Sequence, residues 1–171
     1  MTRGVVLGID PGTTGMGYAV LDTGREPPSI IVCDVIPTPK KGSTGERLVA
    51  IADEIDRLIA AHRPASLALE RLYFNKNVRT AMVVSEARGI ALLCAARAEI
   101  EIAEYTPSEV KLAVTGSGSA DKRQVQRMLS LVLGLDHKII GDNVADAVAI
   151  ALTHAQRSRF TSAVAIAEAK A

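Results

Sequence analysis

Three carboxylates stand where an apolar run gives way to a turn or a helix. Asp10 follows the run Gly4 to Ile9 (GVVLGI), Glu70 closes Ser66 to Glu70 (SLALE), and Asp146 opens the last strongly helical stretch, Asn143 to Arg157. A carboxylate at the end of a buried strand projects from the rim of a sheet, where a neighbouring strand can present a second one. If the strands ending in Asp10 and Glu70 are adjacent, two anions meet and repel, and a cation relieves the repulsion. A few hard oxygen donors suit Mg²⁺ or Mn²⁺ with several waters retained. Each acid also has an ordinary alternative. Asp10 before Pro11-Gly12 could be a turn residue, Glu70 could pair with Arg71, and Asp146 could serve a helix N-terminus capped by Asn143.

A second group of residues could recognise a polyanion with unstacked bases. Aromatic residues make up only 3% of the chain, yet Tyr73 and Phe74 are neighbours in a polar stretch directly after Glu70. Side by side, they could stack on unpaired bases, at about 1–3 kcal/mol per base; one buried and one exposed ring is the plainer alternative. Lys76, Arg79 and Arg88 add positive charge nearby, suited to phosphates. Gly116-Ser117-Gly118-Ser119 precedes a helix and could offer bare amides to a phosphate or serve as a plain connector.

The elements that must hold these residues follow from the apolar spacing. Gly4 to Ile9, Met16 to Asp22 and Ser29 to Ile36 are three short runs at hairpin spacing, which predicts an antiparallel meander. Ser43-Thr44-Gly45-Glu46 has the form of a capping box, and Leu48, Ile51, Ala52, Ile55, Leu58 and Ile59 follow at helical spacing. Ser66 to Glu70 then reads as a strand parallel to the first. A long helix is expected over Val78 to Ala98, a strand over Glu99 to Glu104, and further helices from Thr106-Pro107, around Val125 to Val132, and over Asn143 to Arg157. The order predicts an α/β domain with one five-stranded mixed sheet flanked by helices. Residues 1–157 form that domain in this reading, and 158–171 an Ala-rich frayed tail.

Length and composition bound the rest. The 171 residues hold one domain, 48% hydrophobic and 23% charged, with 20 Lys and Arg against 19 Asp and Glu. A net charge of +1 means that any nucleic-acid surface is a local patch. No run reaches the length of a membrane span, and the N-terminus lacks signal-peptide architecture. Cys33 and Cys94, both in apolar runs, read as reduced core thiols of a cytosolic protein.

Four segments carry a resemblance. GIDPGTTGMGYAV, ALERLYFNKN, EVKLAVTGSGSADKRQVQRML and DNVADAVAIALTHA, in that order, resemble the RuvC family of bacterial Holliday-junction resolvases from residue 4 to residue 156. The resemblance implies a ribonuclease-H-like fold and a structure-selective endonuclease. It also implies paired, symmetric cleavage of a four-way DNA junction with two Mg²⁺ or Mn²⁺ ions per site, leaving 5′-phosphate and 3′-hydroxyl ends. By position, Asp10, Glu70 and Asp146 match the family's metal ligands. Lys111 and Lys122 match lysines that contact DNA or assist catalysis, and Arg123 joins the expected DNA-binding set. A cytoplasmic homodimer is implied, as is a branch-migration helicase complex as partner. Two-fold cutting asks for a two-fold enzyme, and the helix over Val78 to Ala98 is the expected interface. Its apolar Met82, Val83, Ile90 and Leu93 exceed one sheet-facing stripe, and Ala87, Gly89 and Ala91 would permit close approach.

One position departs from the pattern. Three residues before Asp146 the family has Asp or His, and this chain has Asn143. Its carbonyl can touch a cation but brings no charge. The site then holds three carboxylates, and either tolerates weaker metal binding or is inactivated. Two other functions therefore stay open: a non-catalytic junction binder of the same fold, and an actin-like nucleotide-binding fold using the loop Asp10-Pro11-Gly12-Thr13-Thr14.

Overall fold

Strand alternation sorts the sheet residues into two faces, and each face recruits its own helices. In the computed structural model, residues 4–11, 15–39, 41–71, 78–136, 139 and 141–168 are described. β1 (Val5–Asp10), β2 (Gly17–Asp22) and β3 (Ser29–Val35) form the expected antiparallel meander. After α1 (Thr44–His62), β4 (Ser66–Glu70) pairs parallel to β1; after α2 (Val78–Arg97), β5 (Glu101–Tyr105) pairs parallel to β4. The sheet order is β3-β2-β1-β4-β5. α3 (Pro107–Thr115), α4 (Lys122–Val132) and α5 (Asp142–Glu168) complete the chain.

Leu7, Ile9, Val20, Leu67 and Leu69 point to one side, where they pack with Ile51, Ile55 and Leu58 of α1 and with Ala91 and Cys94 of α2. Val6, Ala19, Leu21 and Ala68 point to the other and meet α3, α4 and α5. The caps follow the sequence. Ser43 and Glu46 close a reciprocal capping box on α1, and Thr106 and Glu109 close one on α3 with Pro107 in its first turn. Cys94 is buried and Cys33 half-buried, both as free thiols.

The C-terminal stretch departs from the expectation. Instead of fraying at 158, α5 continues as helix to Glu168. Its Ala-rich sequence favours helix without core contacts. Arg159 also ties it to the β2–β3 turn, pairing with Glu26 and donating to the carbonyls of Thr23 (3.1 Å) and Arg25 (2.6 Å). Phe160, one residue on, is exposed. No helix among the described residues is long and apolar enough to cross a membrane.

Candidate active site

The period of two that sorts the core also aims the acids. Val6 and Gly8 of β1 face α5, so Asp10 continues that face. On β4, Ala68 faces α5, and Glu70 continues it in the same way. Ile9 pairs with Leu69 in the parallel register, which brings the strand ends carrying Asp10 and Glu70 side by side. The third acid arrives on α5. That helix lies unusually close to the sheet, because two strand positions facing it have no side chain. A Cβ on Gly8 would sit 2.4 Å from the Ala147 carbonyl oxygen, and one on Gly17 would sit 2.1 Å from that of Asn143. Buried Ala145, Ala147 and Ala151 keep the helix side of the contact thin. The close seat sets Asp146 over the ends of β1 and β4.

The electrostatics report the convergence. Burial, then the charges of Asp146 and Glu70, push the Asp10 carboxyl up to about 7, against the opposing pull of Lys122. Glu70 is raised by burial and by Asp146 and lowered by Lys111. Asp146 is raised by burial and by Asp142, and lowered by Lys122 and Lys111. Thus Asp10, Glu70, Asp146, Lys111 and Lys122, five positions spread over 137 residues of sequence, act in one field.

Lys122 opens α4, with its ammonium 3.0 Å from the Asp142 carboxylate and 4.0 Å from that of Asp146. Asp142 was not among the expected site residues. The available signal was its place at the start of the last helix, which brings it near any cation facing Asp146. Asn143 is not a cap. The helix begins at Asp142, so Asn143 lies inside it and Asp146 one turn further on. The Asn143 amide nitrogen donates to the Gly15 carbonyl at 2.7 Å, which ties the segment following Asp10 to α5.

The remaining expected residues divide. Tyr73, Phe74 and Lys76 lie outside the described residues, as does the side chain of Arg79 on α2. Arg123 is exposed on α4 beside Lys122. Arg88 is not part of an exposed basic patch: its side chain is 17% exposed and pairs with Glu104. Gly116 to Ser119 is a connector. Its Ser117 and Ser119 hydroxyls bond each other, and α4 is capped by the Asp121 carboxylate, which occupies the position an anion would take. On α2, Ala87 and Ala91 are buried in the core, whereas Met82, Gly89 and Leu93 face outward.

Among the described residues no group of three or more acidic, histidine or cysteine side chains is gathered closely enough to hold a metal ion. The donor type at this end of the sheet is nonetheless hard carboxylate oxygen, which suits a divalent cation. Three half-buried carboxylates, of which Asp146 raises the proton affinity of the other two, present hard oxygens to which a divalent cation could bind with water completing its shell.

The sequence model of the family described as "Crossover junction endodeoxyribonuclease RuvC" matches residues 6–154. The chain is 45% identical over 158 residues to a protein of that name from Alkaliphilus metalliredigens, covering 92% of this chain and 96% of the relative. It is 42% identical over 170 residues to one from Rubrobacter xylanophilus, covering 99% and 95%. The fold is similar to the structure described as T. thermophilus RuvC in complex with Holliday junction substrate, with a TM-score of 0.87 and 33% identity over 92% of this chain and 96% of that one.

Proposed function

The chain belongs to the RuvC family of crossover junction endodeoxyribonucleases, and on that premise we propose how its residues divide the work of cutting a four-way DNA junction. It is a Holliday-junction-resolving endonuclease with a ribonuclease-H-like fold, acting in DNA recombination and repair. The observation that supports the assignment of the site is the side-by-side register of the strand ends carrying Asp10 and Glu70, with the Asp146 charge acting on both.

Asp10 is central on β1 and feels both other acids, so it, with Glu70 and Asp146, would hold the Mg²⁺ or Mn²⁺ ions, two per site, with the neutral amide of Asn143 as a further neighbour on α5. Ions bound there would supply an activated water and charge compensation at the leaving 3′ oxygen. The protein's own part is to hold three carboxylates ready at a cost in folded stability. Lys122 offsets negative charge at the scissile phosphate. In the free protein its ammonium rests on Asp142, and both side chains are more than half exposed. Such a pair is weak, so a phosphate displaces it readily. Lys111 and Arg123 contact the backbone of the DNA, joined by Lys76 and Arg79. Tyr73 and Phe74 stack on unpaired bases at the centre of the junction.

Two opposed strands are cut symmetrically by a homodimer. Met82 and Leu93, exposed on α2 at 59% and 45%, support that helix as the interface. The enzyme works in the cytoplasm, with a branch-migration helicase complex as partner. Residues 1–157 form the nuclease domain in this reading, which the family match over residues 6–154 supports.

The test is cleavage of an end-labelled four-way junction by the wild type and by Asp10→Asn, with Mg²⁺, with Mn²⁺ and with chelator. Symmetric, metal-dependent cuts by the wild type alone are expected. Tight junction binding with no cutting in either metal would leave a non-catalytic junction binder.

A further inference from the structure

α2 turns a charged side chain inward. The Arg88 guanidinium pairs with the Glu104 carboxylate of β5, and its Nε lies 3.4 Å from the backbone carbonyl of Glu70. Glu104 also faces Arg71, at 3.8 Å. On the other side, the Arg71 backbone N–H donates to the Tyr105 carbonyl at 2.7 Å. The end of β4 is therefore gripped from two directions, by β5 through the backbone and by α2 through Arg88. A cation this enclosed persists only when paired. A well-packed apolar pair would hold the same elements together at least as well. What the ion pair adds is direction: a planar guanidinium fixes where its partners lie, and an apolar contact does not.

We infer that Arg88 and Glu104 are positioning residues for Glu70. The pair fixes the end of β4 at the height where the Glu70 carboxylate meets Asp10 and Asp146, and so couples the placement of α2 to the geometry of the acidic site. This rests on the reading of Glu70 as a site carboxylate. Arg88 does not contact DNA in this arrangement, because its guanidinium is committed within the protein.

The double variant Arg88→Met, Glu104→Met removes both charges and keeps apolar bulk, which favours retention of the fold. Three quantities are measured: thermal midpoint, Mn²⁺ affinity without DNA by electron paramagnetic resonance, and single-turnover cleavage beside junction affinity. The expected result is an unchanged junction Kd, with Mn²⁺ affinity and cleavage rate each down about 10–100-fold, the range for residues that orient metal-binding groups. Wild-type Mn²⁺ affinity and cleavage in the folded double variant overturn the inference. If that variant does not fold, Glu104→Gln, which keeps a hydrogen-bond acceptor for Arg88, is read instead. A loss of Mn²⁺ affinity and rate at constant junction Kd supports the positioning role, and wild-type values overturn it. Glu70→Gln separates the layers. If it is inactive while the Arg88 and Glu104 variants are normal, only the positioning role fails. If it binds Mn²⁺ and cuts normally, the reading of Glu70 fails and the positioning role with it.

Discussion

Asp10→Asn should make the metal-free protein more stable while it abolishes cleavage. Asp10 is pushed from an ordinary 3.8 to about 7, first by burial and then by the charges of Asp146 and Glu70. At about 1.4 kcal/mol for each tenfold change in proton affinity, the charged form costs the fold at most about 4 kcal/mol, and about 2–4 kcal/mol is expected once the neighbours relax. Between pH 3.8 and about 7 the folded chain holds the Asp10 proton and the unfolded chain does not. Stability therefore falls as pH rises through that window and levels off above it. Asparagine has the same shape and no charge, so it removes this slope. In chelator at pH 8, Asp10→Asn should melt about 5–15 °C above the wild type, at about 2–4 °C per kcal/mol for a chain of this size. The gap should shrink towards pH 4. Mg²⁺ should narrow the gap, because the wild type gains the larger binding energy, about 2.7 kcal/mol at a hundred times Kd. The assay is thermal or urea unfolding across pH, with and without metal, beside junction binding, which should persist because it rests on phosphate contacts. An Asp10→Asn protein no more stable than the wild type in chelator at pH 8 would refute the reasoning.

Four further outcomes are expected. Gly8→Ala drives a Cβ to 2.4 Å from the Ala147 carbonyl and 2.7 Å from the Ala151 Cβ; it should cost about 1–3 kcal/mol or more in urea unfolding and reduce cleavage more than junction binding, and unchanged cleavage would mean that the seat of α5 does not set the site. Lys122→Gln should slow cleavage by about 10²–10³-fold and lower the salt slope of junction binding by about one, with equal rates counting against its role at the phosphate. His154 is buried with its Nδ1 2.8 Å from the Tyr105 hydroxyl, and burial lowers its proton affinity; stability should be lost as pH falls below 6.5, where the unfolded chain protonates first, and an NMR titration placing His154 at or above 6.5 would contradict this. Asn143→Asp replaces the donor to Gly15 with an acceptor 2.7 Å from a carbonyl oxygen; the metal-free protein should lose about 1–3 kcal/mol, while an added anionic oxygen lowers the Mg²⁺ needed for cleavage. Superimposable metal curves would leave Asn143 as a tie between loop and helix only.

Much of the architecture was readable because it is local. Apolar alternation placed the five strands, the Ser43–Glu46 and Thr106–Glu109 boxes placed two helix starts, and β1, β4 and α5 appear where their acids required them. Asp10 and Glu70 stood out in sequence because each closes a buried strand, and those strand ends do lie side by side; Asp146 stood out by its place near the start of the last helix, which the structure retains. The α5 extension was missed because helix propensity carries much of it and the anchoring partners of Arg159 lie 133 to 136 residues away.

Side-chain partners across elements obey no local period. Arg88 reads as surface charge in sequence, yet its pairing partner Glu104 is 16 positions on. Asn143 reads as a cap, yet its amide finds Gly15, 128 positions away. Lys122 rests on Asp142 because the start of α4 meets the start of α5. Spacing along a strand or helix determines the face on which a residue stands. What it touches depends on how closely two elements approach, and here that distance is set by bare glycines at positions 8 and 17 beneath a helix of small residues.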